Sequence, residues 1–159
     1  MIPSVCDPVI APTGPVIPIP PPPTFVDDKL TRKFKLQFEY GCKTNLNFRA
    51  CKGNVLWNDV IILSINPNDY NIHTVTLYVY VNAGENKLQF EGIGHNMYQG
   101  LGIDNVILTR DGTMSNIVVN GDFEVPNAGN SWVISNNILG WEGQAIEVIK
   151  GSLKNAGWN

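Results

Sequence analysis

The stretch "KFKLQFEY", residues 33–40, alternates with a period of two. Phe34, Leu36, Phe38 and Tyr40 fall on one face and Lys33, Lys35, Gln37 and Glu39 on the other, as the side chains of a half-buried strand must. A helical repeat of 3.6 would scatter both sets around the axis. "HTVTLYVYV" repeats the pattern, with Val75, Leu77, Val79 and Val81 inward and Thr74, Thr76, Tyr78 and Tyr80 outward. "NVLWNDVIILSI" reads as a hairpin, because Asn58-Asp59 supplies the residues that tolerate positive φ between two apolar runs. "NAGEN" turns the chain into "KLQFEG". After the glycine-rich loop "GIGHNMYQGLG" comes "IDNVIL", and beyond "TRDGTMSN" come "IVVNGDFE" and "AIEVI", all expected as strands. No stretch carries a helical stripe and turns recur at sandwich spacing, so the expected class is all-β.

At 159 residues the chain is long enough for one sizeable core. Eleven Lys+Arg against fourteen Asp+Glu give a net charge of −3 with no basic block, which excludes the electrostatic footprint of a nucleic-acid binder. The apolar runs fall short of the roughly 20 residues of a membrane span, so no membrane insertion is expected. "MIPSVCDPV" lacks the basic start and apolar centre of a signal peptide; either a signal has been removed or the chain is a piece of something longer.

Between Asp7 and Phe25 lie eight prolines. Proline lacks the ladder donor and favours extended polyproline II, so residues 1–24 are expected to form an extended arm. Val9, Ile10, Val16, Ile17 and Ile19 make it too apolar for a solvated tether, which favours an arm docked on a surface or on a neighbour. At about 3.1 Å per residue it would extend about 60 Å, longer than one sandwich needs.

Of three cysteines, Cys42 and Cys51 lie nine apart in "YGCKTNLNFRACKG". A disulfide is expected there, closing a short loop between strands and worth about 2–3 kcal/mol in a secreted domain; the alternative is two reduced, half-buried thiols. Cys6 is left over, either buried or free to bond a second chain. His73 and His95 show no paired spacing, which argues against zinc. Neither histidine accompanies a nucleophile motif, and no enzyme is expected. Glu39 and Glu91 face outward and read as solvated.

Several segments resemble a known family. "NGDFEVP…GWEG…IEV" resembles the start of carbohydrate-binding modules and related cell-wall-associated domains with the galactose-binding-like jelly roll, "VNAGENKLQFEGIG…GLGIDNVIL" is similar to the end of the same domain, and "FKLQFEY…VLWNDVIILSI" to its core hairpins. The resemblance covers residues 25–108 and 117–159 and implies a jelly-roll β-sandwich. The order departs from the family, since the end of the domain comes first and its beginning last. The chain therefore divides into the arm at 1–24, the C-terminal part of a jelly roll at 25–108, a linker at 109–117, and the N-terminal part at 118–159. The family has its first and last strands adjacent and antiparallel, so "TRDGTMSN" suffices to link them. The domain then closes within one chain as a permutant or between chains as a polymer; a third alternative is one repeat cut from a tandem array.

The resemblance also implies calcium. Relatives hold a structural ion between "GDFE" and "IDN", which here offers Asp104 and Glu124 with Asp122 and Asn105 nearby; two carboxylates plus backbone carbonyls would serve. The alternative is that these carboxylates cap strand ends. Exposed aromatics are the usual platform for a sugar ring, and Tyr78, Tyr80, Tyr98, Trp132 and Trp158 are candidates, with Tyr78 and Tyr80 on one outward face serving equally as an interface. Trp141 in "LGWEG" reads as core.

Together these readings point to an extracellular or cell-surface structural subunit, joined head to tail with copies of itself into a filament or coat, the arm and the split domain contacting neighbours. The rival reading is a soluble or wall-attached carbohydrate-binding module with glycans as partners.

Overall fold

The structure, a computed structural model, describes residues 33–42, 51–93, 100–129 and 132–149, the side chains of Trp132 and Ala145 excepted. The proline arm, Cys6, His95, Tyr98 and Trp158 lie outside the described residues, so the expectations placed on them do too.

The described residues form eight strands and no helix. They are β1 (Lys33–Cys42), β2 (Gly53–Trp57), β3 (Val60–Ile65), β4 (His73–Tyr80), β5 (Leu88–Gly92), β6 (Leu101–Arg110), β7 (Trp132–Ile138) and β8 (Trp141–Ile149). Three small antiparallel sheets result, ordered β4-β1-β6, β3-β2-β5 and β7-β8. Phe34, Leu36 and Phe38 of β1 are buried as the alternation requires. Leu36 pairs with Leu77 on one side and with Leu108 on the other, which makes β1 the centre of its sheet.

The second sheet faces the first in a sandwich-like arrangement. Phe38 of β1 meets Phe90 of β5 edge to face, with ring centroids 5.1 Å apart, the geometry that the aromatic quadrupole favours. Both ends of this pair of sheets are stitched. At one end Trp57 Nε1 donates to the Tyr80 carbonyl at 2.9 Å. At the other, Cys42 and Cys51 form the expected disulfide, with Cα atoms 5.5 Å apart and both residues fully buried. The β2–β3 hairpin turns through Asn58 (φ 51°) and Asp59 (φ 63°), the paired left-handed conformation expected of Asn-Asp.

The turn before β5 is held by Asn86, which is 1% exposed. Its Oδ1 accepts the Asn82 N–H at 2.9 Å, and its Nδ2 donates to the Asn82 and Gly84 carbonyls at 3.0 and 3.2 Å. Asn58 Nδ2 adds a fourth bond to Oδ1 at 3.2 Å and ties the two turns together.

Residues 117–124 differ from expectation. "IVVNGDFE" runs beside β6 but is a succession of turns and bends, not a strand. Ile117 N donates to the Leu108 carbonyl at 3.0 Å and Val106 N to the Gly121 carbonyl at 2.8 Å, with Asn116 Oδ1 accepting the Leu108 N–H between them. Left-handed Asn120 (φ 52°) and Phe123 (φ 54°) curl the chain out of a ladder. Gly121 is what permits the close approach, since a Cβ there would stand 2.0 Å from the Val106 carbonyl oxygen.

The C-terminal hairpin also differs, because "AIEVI" finds its partner in β7, which the sequence did not suggest. A two-stranded ribbon is marginal alone. Here Ile138, Trp141, Ile146 and Val148 join a single buried cluster with Phe38, Phe90 and Leu108, and Trp141 lies 6.1 Å from the Phe90 ring. Trp141 is core as expected.

Candidate ligand-binding surface

Tyr78 and Tyr80 alternate outward from β4 and are 52% and 63% exposed. β4 is an edge strand of its sheet and β3 of the facing sheet, so the sandwich opens between them. That opening is a shallow groove of about 300 Å³ lined by Trp57, Val60, Ile62, Tyr78, Val79 and Tyr80, with Asn58 and Asn82 at its end. Lys33 stands over one face of Tyr78, its Nζ 4.0 Å from the ring centroid in a cation–π contact. Val60 and Ile61 continue the apolar surface along β3 at 64% and 54% exposure. No charged residue occurs between Val60 and Ile65.

A second depression of about 450 Å³ shares Asn58 and Asn82 with the groove and adds Asp59, Glu85 and Lys87. Lys87 Nζ meets Asp59 Oδ1 at 3.0 Å in an exposed ion pair. An aromatic ridge thus adjoins a polar floor of amides and charges. Trp132 is placed on β7, its backbone paired with Ile149, and its side chain lies outside the described residues.

Asp104 is 6% exposed and sits at a bulge where β6 carries one residue more than β1. Bulges re-aim side chains; here Asn105 takes φ 50°, its N–H donates to Asp104 Oδ1 at 2.7 Å, and its Nδ2 donates to Glu39 Oε2 at 2.9 Å. Glu39 is therefore engaged rather than merely solvated. Asp122 and Glu124 are exposed in the turn segment. Among the described residues no group of three or more His, Cys, Asp or Glu side chains is placed to hold a metal.

One cluster escaped the sequence reading. His73 Nε2 and Asp69 Oδ1 are 2.7 Å apart, and the His73 ring stacks on Tyr40 at 5.0 Å between centroids. The His73 hydrogen bond, followed by the Asn71 N–H, holds the Asp69 carboxyl below the usual carboxylate range. Burial, followed by the Asp69 charge, pushes the Tyr40 hydroxyl up. The i, i+4 spacing in "DYNIH" is the only sequence signal, and it becomes a contact because the loop before β4 folds back.

No protein-family model, curated protein or solved structure matches this chain. Among the described residues no helix is long and apolar enough to cross a membrane, which says nothing of strands.

Proposed function

We propose that the protein is a non-catalytic structural subunit of an extracellular or cell-surface filament or coat, built on a jelly-roll sandwich in permuted order and joined head to tail with copies of itself. The observation that carries this reading is β3. It is an edge strand whose outer side pairs with no other described strand, it exposes Val60 and Ile61, and it carries neither a proline nor a charged residue to blunt it. Sheet edges of this composition pair with further chains unless guarded, and strand addition is a general route to head-to-tail assembly. The buried disulfide is compatible with an oxidising compartment. Negative-stain microscopy tests the reading: fibres or sheets are expected, and Ile61→Lys should disperse them. Dispersed particles from the unmodified chain at every concentration would overturn it.

A second reading, a carbohydrate-binding module, is favoured by the aromatic groove and the amide-lined depression meeting at Asn58 and Asn82. On a glycan array it predicts binding that Tyr78→Ala with Tyr80→Ala abolishes.

A further inference from the structure

The groove between β3 and β4 has an aromatic ridge, apolar walls and an open top, and it lies where the described chain begins. Lys33, the first residue of β1, pairs with Tyr80 and stands over Tyr78. The chain upstream of Lys33 therefore starts at the mouth of the groove. Upstream, Pro12, Pro15, Pro18 and Pro21 recur at intervals of three. Polyproline II has three residues per turn, so this spacing sets the four rings on one ridge, and such ridges dock in aromatic-lined grooves with little further ordering cost.

We propose that the groove lined by Trp57, Val60, Ile62, Tyr78 and Tyr80 is the docking site for the proline-rich segment of its own chain, residues 7–25. The length of the arm alone pointed to a neighbouring copy; the position of Lys33 points to the same chain. The twelve residues from Pro21 to Lys33 reach at most about 40 Å, enough to lay the ridge in a groove that starts at Lys33. A segment tethered this closely sees its site at an effective concentration in the millimolar range, which a second copy in dilute solution does not match. The docked ridge would cover Tyr78, Tyr80 and Val60 and shelter the apolar side chains of the arm. This inference stands apart from the assembly reading, since it holds for a dispersed chain as well as for one in a filament.

The test is photo-crosslinking in the full chain with Tyr78→p-benzoylphenylalanine, using an equal mixture of unlabelled and ¹⁵N-labelled protein at a concentration where particles are dispersed. Crosslinks from position 78 to residues 7–25, with both fragments carrying the same isotope, are expected. Replacing Pro12, Pro15, Pro18 and Pro21 by alanine should lower the yield at least tenfold while the far-ultraviolet circular dichroism is unchanged. Crosslinks that map elsewhere, or an undiminished yield in the alanine variant, would overturn the proposal. Mixed-isotope crosslinks in statistical proportion would overturn it in favour of the arm of a second copy.

Discussion

The carbonyl oxygen of Asn120 accepts the indole N–H of Trp141 at 3.1 Å. The Asn120 side chain meanwhile donates through Nδ2 to the carbonyls of Val125, at 2.6 Å, and Leu139, at 3.1 Å. One residue thus ties the 120–125 turn, the β7–β8 turn and the buried tryptophan. Because Asn120 is left-handed, Asn120→Ala should cost about 2 kcal/mol from lost hydrogen bonds and backbone strain combined. Asn120→Gly relieves only the strain and should cost about 1 kcal/mol. Urea unfolding of both variants separates the contributions; equal losses would show that the backbone conformation contributes nothing.

Asn86 offers a sharper contrast. Asn86→Ala leaves the Asn82 and Gly84 carbonyls and the Asn82 N–H without their partner and should destabilise by about 2–3 kcal/mol. Asn86→Asp replaces the donating amide by a carboxylate facing two carbonyls, so its folded pKa is raised. The stability of this variant is then greatest below the unfolded Asp value of about 3.9 and is lost as pH rises through the raised folded value. Thermal melts of the variant and the unmodified chain at pH 4 and pH 7 check the sign, with the deficit larger at pH 7.

Reduction of the Cys42–Cys51 bond should add two daltons to the mass of the denatured chain, and the paired Cys42→Ser and Cys51→Ser change should cost about 2–3 kcal/mol for a loop of this length. A disulfide sulfur carries no thiol to alkylate, so neither Cys42 nor Cys51 should label until the bond is reduced, and their burial should slow that reduction in the folded chain. Labelling of either residue in the untreated native chain would contradict the bond.

The Asp69–His73 contact predicts a particular acid limb. Asp69 has its folded pKa depressed, chiefly by the His73 hydrogen bond, so its contribution is present above the unfolded value of about 3.9 and is lost as pH falls through the lower folded value. His73→Phe should preserve a ring against Tyr40 while removing that dependence. A melting temperature followed from pH 5 to pH 2 should fall less steeply in the variant.

Asp104 is where the calcium expectation can be tested. With Oδ1 already accepting the Asn105 N–H, the carboxylate acts as a cap for the bulge, and Asp104→Ala should cost about 1–3 kcal/mol. If Asp104, Asp122 and Glu124 gather around calcium, chelation should lower the melting temperature of the unmodified chain and added calcium should restore it. No shift on chelation, with no bound metal by elemental analysis, would sink the calcium idea.

The strands were legible wherever alternation was clean, as in β1 and β4, and so was the Asn58-Asp59 turn, because left-handed turns use a short list of residues. β7 was not, since Ser135, Asn136 and Asn137 interrupt its apolar face and its pairing comes from β8. Residues 117–124 look like a strand in composition, yet Asn120 and Gly121 allow a curled path against β6 that only tertiary contact selects. The outward faces of Tyr78 and Tyr80 followed from period two. Their meeting with Trp57 and Val60 did not, because it depends on which edges of two sheets adjoin, and pairing order is nonlocal.

The buried disulfide also sets a path for mechanical load. Ladder hydrogen bonds lie across the strands, and β1 is bonded on both sides, so a pull along it from Lys33 must shear two ladders together. At Cys42 the force passes through sulfur to Cys51, two residues before β2, and enters the opposite sheet directly. The two sheets are thereby strained as one body.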